Sequence, residues 1–349
     1  MRFSLAVPLQ RIVDGKHVID FEAFMNEVRA AEDAGFYSVV LGERRIGNTA
    51  YTTSPHLLSA AALAMTTRIK LTISVVVLPL RNPISVIQDA TLLNALFPGR
   101  FRLGVGAGYN EHAFTTMGVD LADRSQLMED GLKILNDFRD GKLHVDVGRG
   151  AVPVRDPALG DARPEIWVGA WGKKAVGRAA RLADGWMPDP MRTVTVVNDL
   201  ANEYRARCAE LDKQPRIAIL REAFLAETDE EAAATFGPHV LEATRQYFPR
   251  MKGGWKDGSD STGKPWDVKV DPFLQTIDSP DQIRIEHLME DRFLIGSKQT
   301  WVDKLTAWKE ILDFEEIVLR SRFQYGPEPE ATLESIRRVG ADIIPRFRD

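Results

Sequence analysis

Three short stretches of this chain bring together residue types suited to holding or transforming a small molecule. The first runs Phe97-Pro98-Gly99-Arg100-Phe101-Arg102-Leu103-Gly104-Val105-Gly106-Ala107-Gly108-Tyr109-Asn110-Glu111. A dinucleotide fingerprint needs glycines at the first, third and sixth positions. Counted from Gly104 the sixth residue is Tyr109, and counted from Gly106 it is Glu111, so that reading fails on spacing. What remains is a strand whose carboxyl end carries no side chain at Gly104, Gly106 and Gly108. Bare backbone there lets a flat ring lie close. Glycines relieving crowding at a barrel corner give the same pattern. The second stretch is Ile166-Trp167-Val168-Gly169-Ala170-Trp171-Gly172-Lys173-Lys174, a strand, a glycine turn and a helix start with two lysines. Free backbone N–H groups and the positive end of a helix dipole suit a phosphate there, and the lysines add point charge. The third is Gly42-Glu43-Arg44-Arg45, charged residues directly after a strand, where barrel enzymes place catalytic or binding groups. Glu43 and Arg44 are the catalytic candidates, and Arg45 a substrate contact.

Other chemistries find little to stand on. His17, His56, His112, His144, His239 and His287 are scattered, with no pair at helical spacing and no HExxH, so no metal site is expected. Only His112 falls near the glycine strand's end, as a candidate ligand contact. There is no Gly-x-Ser-x-Gly elbow and no Walker loop. The single cysteine, Cys208, excludes an internal disulfide and a cysteine-rich cluster. A net charge of −5 argues against a general nucleic-acid or anionic-membrane binder. No apolar run approaches the ~18 residues that span a bilayer. A cytoplasmic protein is the expectation.

The elements that would position these residues alternate along the chain. Apolar, β-branched runs at Phe3–Pro8, Tyr37–Leu41, Lys70–Leu78, Phe101–Gly106, Glu165–Ala170, Gly185–Met187, Arg216–Ala226 and Glu316–Arg320 read as strands covered on both faces. Amphipathic helices lie between them. Pro83 opens one that Pro98-Gly99 stops, Asp123 is placed to cap the next, and Thr228 with Glu231 forms a capping box. Eight strands alternating with helices predict one (β/α)8 barrel domain over residues 1–349, in preference to an open doubly wound sheet. A stretch rich in Gly and Pro, Lys252 to about Asp291, breaks the rhythm. It reads equally as a lid over the mouth or as a passive surface insertion.

Several of these segments, taken in order, resemble the bacterial luciferase-like superfamily of flavin- and deazaflavin-dependent oxidoreductases. They are Val77-Leu78-Pro79-Leu80-Arg81-Asn82-Pro83, the stretch from Pro98 to Glu111, Gly118 with Arg124, the stretch from Pro164 to Trp186, and Ile295-Gly296-Ser297. The resemblance implies reduced FMN or the deazaflavin coenzyme F420 at the carboxyl mouth of the barrel. It also implies a non-proline cis peptide at Ser74-Val75 behind the ring. Phosphate contacts would fall on Gly169, Ala170, Trp171, Gly172, Lys173 and Lys174, and ring-edge contacts around Gly106, Gly108 and Asn110. Trp186 is a further substrate candidate, and a homodimer is expected.

One departure bears on chemistry. Bacterial luciferase has Glu-His-His where this chain has Glu43-Arg44-Arg45, and an arginine stays protonated, so it cannot serve as a general base near pH 7. It can steady an anion instead. Light emission is therefore not expected. The leading expectation is a two-component monooxygenase that takes reduced FMN from a separate flavin reductase and acts with O2 on a small organic substrate. The alternative is an F420-dependent dehydrogenase or reductase, and a third reading is a non-catalytic flavin-binding barrel.

Overall fold

The computed structural model describes residues 1–44, 52–146, 148, 150–251 and 276–348. Nine strands form one parallel sheet: β1 (Arg2–Ala6), β2 (Ser38–Leu41), β3 (Lys70–Val77), β4 (Phe101–Gly106), β5 (Glu165–Gly169), β6 (Gly185–Met187), β7 (Ala218–Leu225), β8 (Leu294–Gly296) and β9 (Glu316–Arg320). Their order is β6-β5-β4-β3-β2-β1-β9-β7-β8. Eight of them are the strands expected from the apolar runs. The ninth, β8, has only three residues and pairs with the last three of β7, too short for any periodic signal. Two antiparallel hairpins, Gln10–Val13 with Lys16–Ile19 and His144–Asp146 with Ala151–Pro153, were also unforeseen. The first turns at Asp14-Gly15, both at positive φ (49° and 73°). That dipeptide was a readable hairpin signal.

The sheet curls, and buried polar contacts require it. Arg102 on β4 donates Nη1 to the Glu316 carboxylate on β9 at 2.8 Å. Four strand spacings separate β4 from β9 in the sheet order, roughly 19 Å if flat. The same carboxylate accepts from Ser4 at 2.7 Å, Ser38 donates to Ser4 at 3.0 Å, and Thr72 to Ser38 at 3.2 Å. Neighbouring strands thus each contribute one polar side chain to a single buried layer. On the far side, the Trp186 N–H at the start of β6 donates to the Arg216 carbonyl before β7 at 2.9 Å.

Helices cover the outer face: α1 (Phe21–Asp33), α2 (Pro55–Ala64), α3 (Pro83–Leu96), α4 (Arg124–Arg139), α5 (Lys173–Leu182), α6 (Val194–Glu210), α7 (Asp229–Met251), α8 (Lys298–Leu312) and α9 (Pro329–Arg338). Asn82 caps α3 by accepting from Ile84 and Ser85, with Pro83 in the first turn as expected. Asp123 makes no cap bond on α4, because it already belongs to a 3-10 turn that Asp120 caps. Among the described residues no helix is long and apolar enough to cross a membrane. A second core of Phe224, Phe236, Ile283, Leu288, Phe293 and Phe323 packs where α7 meets β7 and β8. Its members Ile283 and Leu288 lie in the Lys252–Asp291 stretch that breaks the rhythm, and the end of that stretch is structured. Pro280–Gln282 is a 3-10 turn and Ile285–Asp291 a helix docked on this core. Residues 252–275 lie outside the described residues, and with them any test of a lid.

Candidate functional site

The carboxyl ends of the strands surround a cavity of about 210 Å³. Ala6 at the end of β1 and Val7 after it, Gly42 and Arg44 after β2, Ser74 of β3 and Arg320 of β9 all reach it. The Ser74–Val75 peptide is cis, at the place the resemblance implied. Ser74 faces the cavity and Val75 goes the other way, between β4 and β5. A Cβ built on Gly106 would lie 2.6 Å from Val75 Cγ2, and one on Gly169 would lie 2.9 Å from Val75 Cγ1. On Gly108, at φ +73°, it would lie 2.5 Å from Val77 Cγ1, and on Gly104 2.1 Å from the Ile73 carbonyl oxygen. The glycines therefore admit β3, not a ligand ring lying on bare backbone. Crowding inside the sheet is their physical cause.

Glu43 follows β2 with its side chain wholly buried. One carboxylate oxygen accepts the Val77 N–H at 2.7 Å, and the other accepts Arg81 Nε at 2.9 Å. Arg81 also donates to the Thr53 carbonyl at 2.9 Å. Glu43 is thus a clamp joining the ends of β2 and β3 to Arg81, in place of the direct catalytic contact expected from sequence. Arg44 lines the cavity and donates Nη2 to the Tyr109 hydroxyl at 3.1 Å. Arg45 lies outside the described residues.

His56, the second residue of α2, is buried, and its Nε2 has no partner among the described residues. Burial, together with the nearby Arg81 charge, pulls its pKa down to about 4. A histidine depressed in the folded state contributes stability above its unfolded pKa and loses it as pH falls toward 4. Between pH 7 and 5.5 we expect the wild type to lose about 1 kcal/mol more than His56→Gln, measured by urea unfolding. Equal losses would show that His56 protonates freely in the fold. The comparison with the variant isolates this group from others that titrate in the same range.

The turn after β5 leaves backbone donors open at the start of α5. Gly172 sits at φ +86°, which only glycine adopts readily, and N-caps α5 without a side-chain cap. The first N–H groups of the helix, those of Lys173, Lys174 and Ala175, therefore have no intrahelical acceptor. Both lysine side chains are exposed, and neither has an ion-pair partner among the described residues. Ala170 is fixed on both sides: its N–H donates to the Met187 carbonyl at 3.1 Å, and its carbonyl accepts Trp186 Nε1 at 2.9 Å. Trp171 packs half-buried on the core, with the Arg192 guanidinium 5.8 Å from its ring centre.

Other candidates move to different roles. Trp186 is 0% exposed and packs on Tyr204 with ring centres 5.4 Å apart, so it is a core residue and offers no surface to a substrate. Asn110 caps the short helix Glu111–Thr116, its side-chain oxygen accepting from Ala113 at 3.2 Å. His112 is exposed on that helix. Sequence reasoning overlooked the far wall of the cavity, where Tyr247 of α7 and the segment from Arg320 to Tyr325 stand. The signal was present: Arg320-Ser321-Arg322 follows the last strand as Glu43-Arg44-Arg45 follows the second.

The chain is similar in sequence and fold to several known proteins. A relative from Acinetobacter baylyi, the oxygenase component of a flavin-dependent trigonelline monooxygenase, is 21% identical over 365 aligned positions, covering all of this chain and 96% of the relative. An uncharacterised protein of Sinorhizobium fredii is 24% identical over 328 positions, covering 83% of this chain and 93% of its own. The oxygenating constituent of 3,6-diketocamphane monooxygenase from Pseudomonas putida, solved with FMN, superposes with a TM-score of 0.75 at 18% identity, over 100% of this chain and 99% of that one. An F420-dependent secondary alcohol dehydrogenase superposes at 0.71 with 15% identity, over 100% and 99%. The family described as luciferase-like monooxygenase matches residues 1–313. The chain belongs to the luciferase-like monooxygenase family.

Proposed function

We propose that this protein is the oxygenase component of a two-component monooxygenase, taking reduced FMN from a separate flavin reductase and acting with O2 on a small organic substrate. The observation that carries this reading is the start of α5. Three N–H groups without intrahelical acceptors and two lysines without ion-pair partners among the described residues fit a phosphate monoester. Reduced FMN supplies the electrons that activate O2, and the protein supplies position and electrostatics. Lys173 and Lys174 hold the phosphate. Ser74, which lines the cavity, would support the ring. Glu43, through Val77 and Arg81, keeps the end of β3 in place. Arg44 puts a fixed positive charge at the cavity, which favours negative charge developing there. We also infer that β6 and β7 close the curled sheet into an eight-stranded barrel, with β8 as an addition outside the eight. The Trp186–Arg216 backbone bond supports that closure.

The turn Gly169-Ala170-Trp171-Gly172-Lys173-Lys174 favours a second reading, an F420-dependent dehydrogenase or reductase, since it resembles deazaflavin-using members more than luciferase. Anaerobic titration with each reduced cofactor separates the two. We expect FMN to bind below ~10 μM, roughly 7 kcal/mol, and the reduced complex to consume O2 on mixing. If only F420 binds that tightly, the monooxygenase reading fails.

A further inference from the structure

The far wall of the cavity has features that cofactor binding leaves unexplained. Among the described residues, three arginines line the cavity, Arg44, Arg320 and Arg322, and no carboxylate does. The carboxylates stand behind them. Glu222 accepts Arg320 Nε at 2.7 Å, and Glu27 of α1 accepts Arg322 Nε at 2.5 Å. Both are 2% exposed, so each locks its arginine from the protein side. Arg322 also donates Nη2 to the Pro8 carbonyl at 2.9 Å. Its Nη1 has no partner among the described residues, although the side chain is only 1% exposed. Two residues on, Gln324 Oε1 is likewise buried and, among the described residues, unpartnered on the same cavity wall. A half-turn of that amide replaces its oxygen with an NH2 donor. An unmet buried donor of this kind is costly to the fold, and a ligand that meets it removes the cost. Burial raises the Glu27 carboxyl above the usual carboxylate range, and the adjoining Arg322 charge opposes that rise.

We propose that this wall receives the carboxylate of a small organic acid, with Arg322 as the residue that anchors it. A planar carboxylate has two oxygens for two donors, Arg322 Nη1 and the turned Gln324 amide, and a guanidinium matches its geometry. The assignment of this acid as the substrate rests on the flavin reading above, whereas its binding does not. Phe323, Tyr325 and Tyr247 give the rest of the wall an apolar surface for the acid's carbon skeleton.

The test is isothermal titration of the protein with matched pairs, benzoate against benzamide and cyclohexanecarboxylate against its amide. The Lys173→Ala/Lys174→Ala background keeps the phosphate turn out of the measurement. Each carboxylate should bind at least about tenfold more tightly than its amide, the margin of a charge-assisted bond. Arg322→Gln combined with Glu27→Gln removes the buried pair together and should abolish that preference while leaving amide binding in place. Circular dichroism checks that the double variant is folded. Equal binding of acid and amide by the parent protein overturns the proposal whatever the variant does, as does a preference that survives in the folded double variant. FMN titration of the protein with both lysines intact separates the two readings. Loss of flavin binding with the acid preference intact defeats the flavin assignment alone, and the reverse defeats this one.

Discussion

Gly106→Ala should destabilise the fold by about 1–3 kcal/mol, the usual cost of an extra methyl in a packed interior, and Val75→Ala in the same chain should restore much of it. The new Cβ would sit 2.6 Å from Val75 Cγ2, so one of the two must move. Val75 is held from the other side by Gly169, where Cγ1 leaves 2.9 Å for any added Cβ. Alone, Val75→Ala loses two methyls and leaves a small cavity, costing ~1–3 kcal/mol. The paired variant should be more stable than the sum of the single effects predicts, by ~0.5–3 kcal/mol, because each change relieves the other. Urea unfolding of the four proteins measures that coupling, and strict additivity would mean that Val75 does not fill the space the glycines leave. Gly177→Ala is the control. Nothing lies within 4 Å of its added Cβ and it sits inside α5, so it should stabilise by up to ~1 kcal/mol. Since Ser74 lies beside Val75 on the cavity floor, Gly106→Ala should also weaken FMN binding, and the paired variant should recover it.

Replacing Lys173 and Lys174 together with alanine should weaken FMN binding by something like 1.5–3 kcal/mol per lost charged hydrogen bond, at least tenfold for each lysine. The loss should shrink as salt rises, because both side chains are exposed and screened. Lys142→Ala removes an equally exposed lysine that pairs with Asp140 away from the turn, and should change nothing. Fluorescence titration measures all three proteins. An unchanged dissociation constant for both FMN and F420 in the double variant would take the phosphate away from the start of α5.

The strands, the helices between them and the family were legible in the chain because parallel strands and amphipathic helices are local patterns. Apolar runs of β-branched residues, Pro83 at a helix start and Gly172 ahead of two lysines each follow from a few neighbouring residues. The departure at Glu43-Arg44-Arg45 was equally plain, and Arg44 does line the cavity. Tertiary structure decided where the side chains of those elements point. Trp186 read as a mouth residue, yet it faces Tyr204 under α6. Glu43 read as a catalytic carboxylate, yet Arg81 and the Val77 N–H enclose it. Gly106 and Gly108 read as room for a ring, yet the register of β3 beside β4 fills that room with Val75 and Val77. Arg322 and Gln324 had no evident use until the curl of the sheet brought the ends of β1, β3 and β9 around one cavity. The physical reason is common to all four. A periodic pattern determines which face of an element is apolar, but the partner of a given side chain depends on cross-strand register and sheet curvature. Those arise only when segments far apart in the chain pack together.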